Sequence, residues 1–543
     1  VAQAELDDAS QETFFNDIPF KLADGTQLVV GTTRPEFLPA CVALLYHPND
    51  DRYKKFAGKK ARVPLFDKEV LIVADQDVDP EKGTGLVMCC IFGDKQDIAW
   101  AKKLGIAYEA EQILGLNGKF SSKAGILADI TPVQARQQVI ELLKESGLLI
   151  AQRSITNVVN VHERCKKSVE YVALAQWFVK VLPYKQDILN YAEAIAWHPE
   201  FMKSRFVNWV QSLSWDWCIS RQRFFGIPFP VWHCKDCQAV LTPPLQALPI
   251  DPREINYFKT CSSCSSDAIV PDTDVMDTWN TSSITPQIVA SLITQGSVFE
   301  KDIVAQLLPM GMRPQAHDII RTWAFYTIVK SWMHYGDIVP WKEVVISGHV
   351  LSDSKEKLSK SKENSKLAPE NLIQAHSADA IRYWTASARL GHDVAFSENQ
   401  LRIGSKLITK LWNAFRFIAE HKGQHGAPQP DQVGVVNEWI LHEYSRVVQE
   451  YKRHHEAYEV GLALQSVEQF FWSSWCDNYL EIIKNQLFNP HSYPAWQVDA
   501  TRWTLSYVGF GILQLFSPYL VHVTEKIYQE LYQQKVKLPS IHL

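Results

Sequence analysis

Two short knuckles constrain this chain more than any other feature: Cys234-x-x-Cys237 and Cys261-x-x-Cys264, with 23 residues between them. A Cys-x-x-Cys turn sets two sulfurs on one side of an ion, and zinc takes four such ligands in a tetrahedron. Two turns at this spacing predict a zinc ribbon. Four thiolates close the coordination shell, so Cys234, Cys237, Cys261 and Cys264 are expected to hold a structural zinc with no position left open for substrate. His233 adjoins Cys234, but a fifth ligand is not needed. The other six cysteines (Cys41, Cys89, Cys90, Cys165, Cys218, Cys476) are scattered and expected to be small buried hydrophobes. Ten cysteines in 543 residues are too sparse for a disulfide scaffold, which points to a reducing, cytoplasmic setting.

Charge and length narrow the class. Lys+Arg 55 against Asp+Glu 60 leaves −5, which excludes a polycationic nucleic-acid coat but allows local basic patches. With 46% hydrophobic residues and only 24 Gly and 27 Pro, collagen-like, low-complexity and wholly disordered readings fail. The length predicts roughly three to five folding units. The most apolar stretch, Tyr507 to Val523, is broken by Gln514, Ser517, Pro518 and His522, too polar and too short for a membrane span. The acidic start, Val1 to Ser10, carries no signal-peptide pattern. The chain has no initiating Met and ends at Leu543 just after Pro539-Ser540, so it reads as a piece of a larger protein.

Three regions follow along the chain. From residue 12 to about 170, short apolar runs (Leu28 to Val30, Val70 to Val73, Leu86 to Phe92) predict strands in a barrel or compact sheet. One helix interrupts them, with Thr131 as N-cap, Pro132 in the first turn, an apolar stripe of Val133, Ile140 and Leu143, and Gly147 at its end. From about 171 to 400 the pattern is mixed α/β, with helices at Lys203 to Leu213 and Ile319 to His334, a strand at Val344 to Ile346, and the cysteine insert at about 232–270. From 401 onward the chain reads as helices. Leu407, Ile408, Leu411, Trp412, Phe415 and Ile418 form one stripe, and Ile440, Tyr444, Val447, Val448 and Tyr451 another.

Four further motifs carry chemistry. Lys357-Leu358-Ser359-Lys360-Ser361 lies in a lysine-rich stretch. Alone it reads as a solvated charged loop, but two lysines on a flexible loop can also close over a triphosphate and stabilise departing pyrophosphate. Gly31-Thr32-Thr33-Arg34-Pro35-Glu36 follows a strand, either as a plain turn or as a cradle of hydroxyls and N–H groups for an ester oxygen. Phe92-Gly93-Asp94-Lys95-Gln96-Asp97 places two carboxylates three residues apart after another strand. They could grip an ammonium group, while Asp94 could equally cap a helix. Finally, Asp277-Thr278-Trp279 and His317-Asp318-Ile319-Ile320-Arg321-Thr322-Trp323 set tryptophan and isoleucine beside polar groups; core packing explains any one of them.

Taken in order, these motifs resemble the class I aminoacyl-tRNA synthetases, and within them the valyl branch. The lysine loop is similar to the Lys-Met-Ser-Lys-Ser signature, with Leu358 in place of Met. Ser214 to Gln222, Val275 to Trp279 with Thr281 to Ser283, and Arg313 to Arg321 are similar to valyl enzymes, and the resemblance covers nearly the whole chain. The element Asp94 to Asp97 and the four-cysteine insert look like the archaeal-type branch.

The resemblance implies a multidomain architecture: a β-barrel-like editing domain (1–170), the second half of a Rossmann-like α/β catalytic domain with its zinc insert (171–400), and an all-α, helical-bundle anticodon-binding domain (401–543). It implies valine–tRNA ligase activity with valine, ATP (with Mg) and tRNA(Val) as substrates, hydrolytic editing of threonyl-tRNA(Val), structural zinc, and a cytoplasmic monomer. Lys357 and Lys360 would contact ATP phosphates, and His317 and Asp318 would lie near the adenylate. Trp279, Ile319 and Trp323 would wall the valine pocket. Thr32, Thr33, Arg34, Asp94 and Asp97 would line the editing pocket, with Asp97 holding the substrate amino group. Two pockets make physical sense, because an apolar valine pocket discriminates against threonine by only about 10²-fold, a general value for such enzymes and not one read from this chain.

The family's His-x-Gly-His tetrad is absent: Gly348-His349 and Gly391-His392 lack the earlier histidine. The chain is therefore expected neither to form valyl-adenylate nor to charge tRNA alone, while editing could persist. The alternatives are an isoleucyl or leucyl fragment and a non-catalytic tRNA-binding module. Arg34-Pro35-Glu36 stands where isoleucyl enzymes usually have Thr-Pro-Trp, and the leucyl counterpart lacks the Asp318 to Arg321 run.

Overall fold

The computed structural model describes residues 3–106, 112–162, 165–297, 300–351, 369–421, 423, 426 and 428–543. The chain separates into two compact units, Val1–Lys180 with Trp215–Met276, and Val181–Ser214 with Asp277–Leu543.

The first unit is built on one seven-stranded sheet. Its strands are β1 (Leu6–Leu22), β2 (Gln27–Thr32), β3 (Cys41–Tyr46), β4 (Lys60–Arg62), β5 (Glu69–Ala74), β6 (Leu86–Cys90) and β7 (Ala151–His162), in the order β2-β1-β4-β5-β3-β6 with β7 alongside β1. All pairings are antiparallel except β3 with β5. The long β1 has three partners: β7 along Leu6 to Asp17, β2 along Asn16 to Lys21, and β4 at Lys21 and Leu22. A tight turn at Gly25 (φ +83) reverses β1 into β2, and the Asp24 carboxylate accepts the Thr26 N–H. The two ends of the path, β2 and β6, come back against each other, so the sheet curls in the barrel-like manner expected. Its core includes Ile18, Phe20, Val30, Leu44, Ile72 and Phe37, all at most 1% exposed.

Helix α1 (Lys95–Lys103) follows β6 directly, and Asp94 caps it by accepting the Asp97 N–H. Helix α2 (Pro132–Glu145) starts at Thr131 as predicted, with a full capping box to Gln134. Its buried stripe differs from the expected one: Ala135, Val139 and Leu143 face the core while Val133 is 68% exposed. The 3.6-residue period runs from Ala135 by steps of four, which turns position 133 outward.

The second unit holds a three-stranded parallel sheet, Met310–Ala316, Trp341–Ser347 and Ala196–His198 in that order, with helices Lys203–Ser212 and Phe325–Tyr335. Both predicted helices form, although Ile319 to Ala324 enters the second through a 3₁₀ turn and a π turn. The C-terminal helices include Glu398–His421 and Val435–Glu456. Leu407, Leu411, Phe415, Ile418, Ile440 and Val447 of the two predicted stripes are buried in one core with Trp475, Tyr479 and Phe516. Within Tyr507 to Val523, a helix and turn, Val508, Ile512, Leu513, Phe516 and Leu520 join that core while Tyr507 is exposed, and no described helix is long and apolar enough to cross a membrane.

Candidate active site

A cavity of about 300 Å³ opens in the first unit where the end of β2 meets the end of β6. All five residues expected of a polar pocket line it: Thr32, Thr33, Arg34, Asp94 and Asp97. Strand geometry explains the convergence. The turns after β2 and β6 leave the curled sheet side by side, bringing together residues about sixty positions apart. Phe15, Met88, Cys90 and Trp100 add apolar surface to the cavity, and Asp77, Asp79, Lys82 and Asn157 further polar groups.

Thr32, Arg34, Asp94 and Asp97 are each tied to a neighbour. The Thr32 hydroxyl accepts the Arg34 N–H at 3.0 Å. Arg34 directs Nε to Glu36 (3.2 Å), Nη1 to the Gly93 carbonyl (2.7 Å) and Nη2 to Glu170 (2.6 Å). The Asp94 carboxylate accepts the Asp97 N–H at 2.8 Å, so the capping reading and the pocket reading hold together. Asp97 is 8% exposed; burial first, and the Asp94 charge second, push its carboxyl well above the usual carboxylate range. An ammonium ion beside it would favour the ionised form.

The four knuckle cysteines gather as the spacing predicts. Their sulfurs all lie within 4.8 Å of one another, with Cys234–Cys264 at 3.5 Å and Cys237–Cys261 at 3.6 Å. Four thiolates about 2.3 Å from a shared ion sit about 3.8 Å apart, so the set fits a tetrahedral zinc. His233 turns away to Asp272, with Nε2 to Oδ2 at 3.0 Å. Of the scattered cysteines, Cys41, Cys89, Cys90, Cys218 and Cys476 are buried as expected, but Cys165 is exposed.

In the second unit, a cavity of about 520 Å³ is lined by Arg205, Asn208, Trp209, His317, Asp318 and Arg321. His317 lies 3.2 Å from an Arg205 guanidinium nitrogen through Nδ1 and 2.8 Å from Asp393 Oδ1 through Nε2. Arginine only donates, so Nδ1 accepts and Nε2–H donates to the carboxylate. Asp393 also accepts the His349 N–H at 2.7 Å, and these two bonds, the backbone one foremost, hold its carboxyl below the usual range. Asp277 caps the short helix bearing Trp279, and Trp323 Nε1–H donates to the Ser282 carbonyl at 3.2 Å, so the two tryptophan segments meet. Trp323 stacks on Trp341 at 5.1 Å and carries the Arg313 guanidinium 3.7 Å from its ring centre. Ile319 is half-buried in the 3₁₀ turn between His317 and the π turn. Lys357 and Lys360 lie outside the described residues.

Residues 54–397 match the family model described as tRNA synthetases class I (I, L, M and V). The chain belongs to the class I tRNA synthetases. Residues 437–543 match the model of the anticodon-binding domain of tRNA ligase, over the C-terminal helices. Over 560 aligned residues the chain is 42% identical to a valine–tRNA ligase of Rickettsia rickettsii, covering 100% of this chain and 67% of that protein. The valine–tRNA ligase of Rickettsia prowazekii is 40% identical over 559 residues at the same coverage. A Mycobacterium tuberculosis methionyl-tRNA synthetase bound by methionyl-adenylate shares the fold, at 17% identity and a TM-score of 0.50 over 68% of this chain and 65% of that one.

Several contributors in this class I synthetase chain escape sequence reasoning. Phe15 lines the first cavity, Glu170 pairs with Arg34 and Arg136 with Glu36, and Arg205, His349 and Asp393 organise His317. Of these, only His349 was quoted from the sequence, in the pair Gly348-His349. The others are ordinary residues made relevant by long-range pairing, for which a single sequence carries no signal.

Proposed function

We propose that this chain is a valine–tRNA ligase polypeptide whose first-unit cavity hydrolyses threonyl-tRNA(Val). The observation that supports this reading is the convergence of Thr32, Thr33, Arg34, Asp94 and Asp97 on one small, partly apolar cavity. Asp97 takes the ammonium group of the misplaced amino acid. The Thr32–Thr33 turn orients the ester, and a water completes hydrolysis. A small cavity lined by both apolar and polar side chains suits a small hydroxylated side chain.

The remaining roles follow the same reading. Residues 1–170 form the editing domain, 171–400 the second half of the catalytic domain, and 401–543 the anticodon-binding domain. His317 and Asp318 face the adenylate, Trp279, Ile319 and Trp323 wall the valine pocket, and Lys357 and Lys360 meet the phosphates of Mg-ATP. Cys234, Cys237, Cys261 and Cys264 hold a structural zinc. The partners are valine, ATP and tRNA(Val), and the protein acts in the cytoplasm as a monomer.

The test uses the 543-residue chain with threonyl-tRNA(Val). Hydrolysis is expected, and Asp97→Ala should abolish it; undiminished hydrolysis by the variant would remove the assignment. With no His-x-Gly-His tetrad, the same chain is expected to show no valine-dependent ATP–pyrophosphate exchange.

A further inference from the structure

Arg34 lines the cavity, and each of its three guanidinium nitrogens already donates to the protein: Nε to Glu36, Nη1 to the Gly93 carbonyl and Nη2 to Glu170. Its planar face lies on Phe37, 4.3 Å from the ring centre. A guanidinium tied at all three nitrogens is held in place as a brace. Glu36, the anchor of the brace, is fully buried at 0% exposure, and a lone charge there would be costly. It is paired a second time, by a parallel two-point grip from Arg136 of α2: Nε to Oε2 at 2.9 Å and Nη2 to Oε1 at 2.6 Å. The 3₁₀ turn Pro35–Ala40 that carries Glu36 is buried along its whole length and packs on α2.

The other end of the brace reaches the reacting side of the cavity. Arg34 fixes the carbonyl of Gly93, and the Gly93 Cα lies under the Asp97 carboxylate, so closely that a Cβ there would come within 2.2 Å of Oδ2. From these contacts we infer that Arg136 is a positioning residue for hydrolysis, acting through Glu36 and Arg34 to hold the Gly93 turn and hence Asp97. The inference rests on the editing reading for its substrate, but the mechanical chain Arg136–Glu36–Arg34–Gly93 stands without it. Arg136 sits 100 residues from Glu36 in sequence, on a helix whose N-terminal capping box fixes its start.

The experiment compares Arg136→Met and Arg136→Lys with the parent 543-residue chain. Amide hydrogen exchange is read at Gly93 to Asp97 and along β6 and β7, beside threonyl-tRNA(Val) hydrolysis. In Arg136→Met, exchange at Gly93 to Asp97 should rise about tenfold while β6 and β7 stay within about twofold, and kcat/KM should fall about tenfold to a hundredfold, as expected when a reacting group is misplaced. Lysine keeps the charge and packing but makes one contact instead of two, so Arg136→Lys should recover only part of both effects. Unchanged exchange at Gly93 to Asp97 in both variants, or an equal rise across β6 and β7, overturns the proposal. So does unaltered hydrolysis in Arg136→Met when Asp97→Ala abolishes it. If neither Arg136→Met nor Asp97→Ala alters hydrolysis while the local exchange rises, the brace is upheld and the reading of the pocket falls.

Discussion

Asp97 folds its carboxylate over Gly93 so tightly that residue 93 has no room for a side chain; a Cβ there would sit 2.2 Å from Asp97 Oδ2 and 3.1 Å from the Cys90 carbonyl. It is this close approach, and not the backbone conformation, that favours glycine here, since its φ is not among the positive ones.

Gly93→Ala should therefore push Asp97 out of place without unfolding the sheet. Hydrolysis of threonyl-tRNA(Val) is expected to drop about a hundredfold. Far-UV circular dichroism should match the parent, and a variant with parental activity would show that the carboxylate can move at no cost.

Asp97 also sets a pH dependence. Its folded pKa is raised, by burial and then by Asp94, above the unfolded value near ~4. Between those two values the folded state binds more protons than the unfolded one. The contribution of Asp97 is therefore most favourable at or below the unfolded pKa and is lost as pH rises through the folded pKa. Asp97→Asn, which cannot ionise, should make the ligand-free chain more resistant to urea at pH 8 and change little at pH 4. Lower resistance at pH 8 would contradict the assignment.

The sulfur cluster predicts one zinc per chain, measurable by atomic absorption. Cys234→Ser should lose the ion, because Cys234 is fully buried and within 3.5 Å of Cys264. Chelation of the parent should expose the small apolar cluster of Trp232, Leu241 and Phe258 behind the knuckles, seen as a shift in tryptophan emission. Metal-free chain with unchanged emission would speak against a structural role.

In the helical region, Asn437 is the hub of a buried polar network. Its amide donates to the Val433 carbonyl at 2.7 Å and to Thr501 Oγ1 at 3.0 Å, while Tyr479 OH donates to its oxygen at 2.7 Å. Asn437→Ala would strand the Tyr479 hydroxyl in a site with 0% exposure of its residue, and should cost about 2 kcal/mol in urea denaturation. Pairing it with Tyr479→Phe should recover part of that loss, because both partners are then apolar.

Much of this molecule is written in short-range spacing. The Cys-x-x-Cys knuckles, the Thr131–Gln134 capping box, the Asp94 cap and the apolar stripes of the helices from residue 398 onward all involve residues within one or two turns, where backbone geometry alone decides who can meet. Val133 shows the limit of that reading: an apolar residue in a helix need not face the core, since the phase of the stripe is set by what the helix packs on.

By itself, then, the amino-acid sequence determined which local elements form, where four thiols gather, and which polar residues border the end of β2 and the start of α1. Only the tertiary structure decided that these become one cavity, because the register of the curled sheet sets β2 beside β6. It also decided that Arg34 is spent on Glu36, Gly93 and Glu170, residues 2, 59 and 136 positions away. Charge pairs of that kind form wherever burial makes an unpaired ion too costly, and burial is a property of the packed chain, not of neighbours along it.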